Sequence, residues 1–89
     1  MMHELKTVPP FFEDVLSGGK TFEVRLNDRN FQKGDILMLR EYIRSIEPYY
    51  TGRSLTAKVT YVLLGGSFGI DPKYIIMGLK RRPWREEAA

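Results

Sequence analysis

Gly18-Gly19-Lys20-Thr21-Phe22-Glu23-Val24-Arg25-Leu26 decides how this chain is read. Gly19-Lys20-Thr21 resembles the end of a phosphate-binding P-loop, but that pattern needs a further glycine five residues before Gly19, and the residue there is Asp14. A P-loop must also open a helix, so that backbone N–H groups and the helix dipole meet the phosphates. Here the period is two instead: Phe22, Val24 and Leu26 point one way, and Thr21, Glu23 and Arg25 the other. The stretch is a strand entered through a glycine turn.

Upstream, His3 to Thr7 reads as a short first strand. Thr7 is placed to cap a helix whose first turn holds Pro9 and Pro10, where a missing N–H costs nothing. Phe11, Phe12, Val15 and Leu16 form one apolar stripe at helical spacing, and Gly18-Gly19 ends the helix after about two to three turns. Downstream, Asn27 to Asn30 is a polar turn, and Gly34-Asp35 is a tight turn in which Asp35 bonds local backbone N–H groups. Ile36 to Ile43 is a second long strand, and Arg44 to Gly52 an irregular loop or wide hairpin, rich in tyrosine and broken by Pro48. Leu55 to Leu64 is a third strand with Leu55, Ala57, Val59, Tyr61 and Leu63 on one face. Gly65 to Gly69 is a turn, and Tyr74 to Leu79 the final strand.

The 89 residues support one domain, read as residues 1–80 with a poorly ordered basic tail over 81–89. Hydrophobic residues at 43% and charged residues at 28% are ordinary for a folded globular domain. The absence of cysteine excludes disulfides, thiolate metal sites and thiol catalysis, and a single histidine argues against zinc. No cofactor, metal or membrane is implied. No apolar run approaches the roughly 20 residues of a membrane span, so a cytoplasmic location is expected. A formal charge of +3 and a pI near 9.3 favour anionic partners weakly. One helix cannot serve repeated βαβ crossovers, so the fold class is α+β: a strand-rich, mixed β-barrel with one short N-terminal helix, closed so that few edges are exposed.

The early helix, the Gly-x-Lys-Thr turn, the strand Phe22-Glu23-Val24-Arg25 and the Phe31…Gly34-Asp35 turn together resemble an ASCH domain of the PUA-like superfamily. The His3-x-Leu5-Lys6 opening and the Phe68-Gly69…Gly78-Leu79 segment resemble a compact bacterial and phage branch of unknown function, so the resemblance spans about His3 to Leu79. It implies a PUA-like barrel with a cleft beside the helix, into which the motif delivers Lys20, and RNA as the ligand. One ASCH branch is an amidohydrolase of N4-acylated cytidine that uses the motif lysine, a threonine three residues on, and a late glutamate. In this chain Lys20 fits, position 23 carries Glu23 instead, and Asp71 is the only acid between Leu55 and Leu79. Binding is therefore expected over hydrolysis, with Lys20 and Glu23 as the polar pair if the protein is an enzyme.

The expected ligand surface is Lys6, Lys20, Thr21, Glu23, Arg25, Arg29 and Phe68. The cations supply electrostatic capture, Glu23 accepts from a ligand donor, and Phe68 stacks. A surface ion pair between Glu23 and Arg25 is the competing reading of that strand face. His3 is a candidate acid or base, yet a histidine on a first strand is more often a hydrogen-bonded structural residue. Tyr49 and Tyr50 beside Arg44 and Arg53 interleave rings and cations, as base-stacking loops do, although tyrosines covering the end of a barrel are commoner. A protein-interaction module that displays an exposed apolar patch is the third functional class.

Overall fold

Strict alternation organises the first strand: in β1 (Met2–Thr7), His3, Leu5 and Thr7 are buried and the residues between them exposed. The computed structural model describes residues 1–82 and continues with α1 (Phe11–Leu16), β2 (Phe22–Leu26), β3 (Ile36–Ile43), β4 (Tyr49–Leu64) and β5 (Tyr74–Arg81). The strands form one curled five-stranded sheet in the order β1-β3-β4-β5-β2. Only the β1–β3 pair is parallel, and the remaining neighbours are antiparallel. The strand-rich α+β class is as expected, and the sheet is barrel-like.

The core lies on the concave face. Leu37 and Leu39 of β3, Val59 of β4, and Ile75 and Met77 of β5 are fully buried there. Helix α1 plugs this side with Phe12 and Val15, while Phe11 stays half-exposed, so the apolar stripe divides between the core and an open surface. The helix has six residues, fewer than two turns, and is shorter than its spacing predicts. Its N-cap is Pro10, with no side-chain cap bond; Thr7 is the buried last residue of β1 and caps nothing.

Strand β4 begins at Tyr49 and pairs antiparallel with β3 out to Ile43, so Arg44 to Gly52 is the wide hairpin of the two readings, with Tyr49 to Gly52 already in the strand. Two register shifts bend the sheet: one between Arg40 and Tyr42 against β4, and one between Val59 and Tyr61 against β5. The second turns Tyr61 outward, to 64% exposure, although simple alternation would place it beside buried Ala57 and Val59. Strand β5 runs to Arg81, which pairs with Ala57, and the Arg82 N–H bonds Thr56 O. The remainder of the basic tail, from Pro83, lies outside the described residues.

His3 and Asp35 anchor the β1–β3 pair. Their side chains meet at 2.8 Å, the His3 ring packs edge-on to Phe31 at 4.7 Å, and Asp35 also accepts from the Gln32 N–H at 3.0 Å. Burial opposes ionisation of Asp35, but the bonds from His3, Gln32 and the Met1 ammonium outweigh it and hold the carboxyl below its ordinary range. At the other end of β3, the Arg53 guanidinium donates to Glu41 at 3.0 Å and holds that carboxyl low against its burial, helped by Thr51 at 2.9 Å. Arg53 also reaches Glu13 at 3.0 Å, and so fastens α1 to the sheet.

Candidate functional site

The alternation of β2 holds, but its apolar side is the one exposed to solvent. Phe22, Val24 and Leu26 are 44–49% exposed, whereas Glu23 is only 3% exposed and Arg25 half-buried. The reason is topological: β2 is an edge strand, and its inner face looks across the concave side to α1 and to β1, the opposite edge. Between these elements opens a cleft of about 800 Å³. Thr7 and Lys6 of β1, Phe11 of α1, and Lys20, Glu23 and Arg25 line it, with Arg44 at its rim.

Lys20 reaches the cleft because the helix end folds back. Gly18 adopts φ +91°, a backbone conformation natural to glycine, and the Lys20 N–H then bonds Asp14 O at 2.9 Å. The Lys20 ammonium donates to Glu23 Oε1 at 2.6 Å and to Phe22 O at 2.7 Å. Arg25 Nε donates to Glu23 Oε2 at 2.7 Å, and its Nη2 to Thr7 Oγ1 at 3.1 Å. Each oxygen of a buried carboxylate is thus held by a different cation, as burial of that charge requires. This is a cleft wall rather than a surface ion pair. The Phe22 and Phe11 rings lie 5.0 and 5.9 Å from the Lys20 ammonium, so the Lys20 end of the charged row sits against two aromatic rings.

Of the residues singled out in the sequence, the structure brings Lys6, Lys20, Glu23 and Arg25 together. Thr21 is exposed outside the cleft lining, and its carbonyl serves the β5 ladder by accepting from the Leu79 N–H. Arg29 donates to Glu4 O at 2.7 Å and ties the β2–β3 connection to β1, away from the cleft lining. Phe68 sits in the β4–β5 turn, 87% exposed with φ +55°, and does not line the cleft. His3 lies four residues before Thr7, about 13 Å along the strand, engaged with Asp35. Sequence reading gave Thr7 a capping role, Phe11 a place in the helix stripe and Arg44 a place in a tyrosine-rich, base-stacking segment, so it assigned none of the three to the cleft that they line. Among the described residues no group of histidine and carboxylate side chains is arranged to hold a metal ion. No helix among them is long and apolar enough to cross a membrane.

Comparison with known proteins follows the same span. An uncharacterized 12.9 kDa protein in the GpA 3′ region of Escherichia phage P2 is 39% identical over 61 residues, covering 68% of this chain and 53% of that protein. The chain therefore spans about half the length of this relative. The model of the family described as a domain of unknown function, DUF3850, matches residues 2–79, from the first residue of β1 into β5. The chain belongs to the DUF3850 family.

Proposed function

We propose that the cleft binds RNA or a nucleotide-like ligand, and that the domain is a PUA-like barrel of ASCH type. The observation that carries this reading is the Lys20–Glu23–Arg25 row in the cleft, with the Phe11 and Phe22 rings beside its Lys20 end. Rings offer stacking to a planar base, a fixed carboxylate accepts from a base amino group, and cations attract phosphate. Lys6 and Arg44 add positive charge at the rim. The test is fluorescence anisotropy with single-stranded RNA at low and moderate salt, using Lys20→Ala and Lys6→Ala. Each is expected to weaken binding, and each lost phosphate contact to reduce the salt slope by about 0.7. Unchanged affinity in both variants at both salt concentrations overturns the proposal.

The hydrolytic alternative has one observation in its favour, the 2.6 Å contact between Lys20 and Glu23 inside a cleft. It is decided by incubating the protein with N4-acetylcytidine, where release of cytidine supports it and none removes it.

The outer face of β2 favours a protein-interaction role alongside ligand binding. Phe22, Val24 and Leu26 stand in register with Gly78, Ile76 and Tyr74, and Tyr61 and Leu63 continue the rows on β4. Leu26, Tyr61 and Tyr74 lie outside the cleft lining and are 38–64% exposed, and with the outward edges of Phe22 and Val24, which also border the cleft, they form an apolar area open to a partner. A second copy of the chain is the occupant this area fits. A monomer at high micromolar concentration by analytical ultracentrifugation excludes it.

A further inference from the structure

We infer that the outer surface of β1 and β3 beside the cleft is a second nucleic-acid subsite, which takes the nucleotides adjoining the one in the cleft. The preferred ligand is then a single strand rather than a free nucleotide. This rests on the nucleotide-binding reading of the cleft.

The surface follows from strand alternation. Along β3, Leu37, Leu39 and Glu41 turn inward, so Arg40 and Tyr42 turn outward, and Arg44, just past the end of the strand, lines the cleft. Register sets Lys6 opposite Arg40, and the shift after Arg40 brings Tyr50 opposite Tyr42. The groups then interleave. The Lys6 ammonium lies 4.7 Å from the Tyr42 ring centre, and the Tyr42 and Tyr50 rings meet edge-on at 5.0 Å. The Arg40 guanidinium stacks 3.7 Å from the Tyr50 ring centre.

Three facts argue for a ligand. The core lies on the opposite face of the sheet, so burial of the core does not account for two tyrosines here; Tyr50 remains 39% exposed. Lys6 and Arg44 belong to the cleft lining, so the surface is continuous with the cleft. Among the described residues the acid paired within this strip is Glu4, with Arg40 at 3.1 Å, so Lys6 and Arg44 leave the strip net positive. Alternating rings and cations along a strand suit successive bases and phosphates of a single strand, and stacking makes such a strip tolerant of sequence.

The experiment compares a uridine mononucleotide with a uridine oligomer of about eight residues, a length within the range that small-barrel grooves cover. Wild type is expected to bind the oligomer more tightly. Tyr50→Ala is expected to lose about 5- to 150-fold on the oligomer, the equivalent of 1–3 kcal/mol for one stacked base, with the mononucleotide unchanged. Tyr50→Phe, which keeps the ring, retains the affinity. An oligomer bound no more tightly than the mononucleotide, or by Tyr50→Ala as well as by wild type, overturns this inference and leaves the cleft reading standing. Failure of wild type to bind either probe overturns both.

Discussion

Arg25 Nη2 donates to Thr7 Oγ1 at 3.1 Å, and this bond joins the two strands that stand at opposite ends of the sheet. Arg29, in the β2–β3 connection, makes a second tie to β1 by donating to Glu4 O. The curled sheet is therefore closed here by guanidinium side chains rather than by a backbone ladder. Arg25 also holds Glu23 at 2.7 Å, so one side chain serves both the closure and the charge of the cleft.

Single and complete removal of the Lys20–Glu23–Arg25 row are expected to differ. Arg25→Ala leaves a buried carboxylate with one cation fewer and is expected to cost about 1–3 kcal/mol by urea denaturation. Replacing the whole row (Lys20→Met, Glu23→Leu, Arg25→Met) removes the need to desolvate any charge, and is expected to restore stability to within about 1 kcal/mol of wild type or above it. The triple variant is expected to lose the RNA binding proposed for the cleft. If it is as unstable as the single variant, the row is a stability device.

Exposure rather than pattern governs the cost of apolar substitutions. Val24→Ser, on the open face of β2, is expected to change stability by less than about 0.5 kcal/mol. Leu39→Ala, fully buried on the concave face, is expected to cost about 2–5 kcal/mol. Equal losses in thermal or urea melts would mean that the Val24 face is covered in solution.

Asp35 and Glu41 are expected to contribute to the fall of stability in acid. Both carboxyls are held below their ordinary values of 3.8 and 4.5, so the unfolded chain takes up their protons first. Their stabilisation is complete above about pH 4.5 and is lost as pH falls through the lower values of the folded state. Asp35→Asn and Glu41→Gln are each expected to flatten the fall in stability below that pH. Arg53→Met, which removes the main partner of Glu41, is expected to raise the Glu41 pKa, readable by carboxyl-carbon NMR titration.

Gly65 has no room for a side chain. A Cβ there would meet the carbonyl oxygens of Asp71 and Tyr74, the latter at 2.6 Å, and both belong to backbone that cannot swing aside. Gly65→Ala is expected to cost about 1–3 kcal/mol or more in a urea melt. Gly19→Ala, with its nearest atoms at 3.9 Å, serves as the mild control.

The sequence by itself determined the number and order of the elements, because periods of two and of helical spacing, broken by glycine and proline, are local properties. It also determined that Lys20, Glu23 and Arg25 share a neighbourhood, since a glycine turn and one strand face place them within six residues. Tertiary structure decided which side of β2 is inside. Alternation marks two faces but not their surroundings, and on an edge strand facing another edge the polar side became the buried one. It likewise decided the places of Thr7 and Arg44, brought to the cleft by the parallel pairing of β1 with β3, and the outward turn of Tyr61, made by a register shift that no local pattern announces.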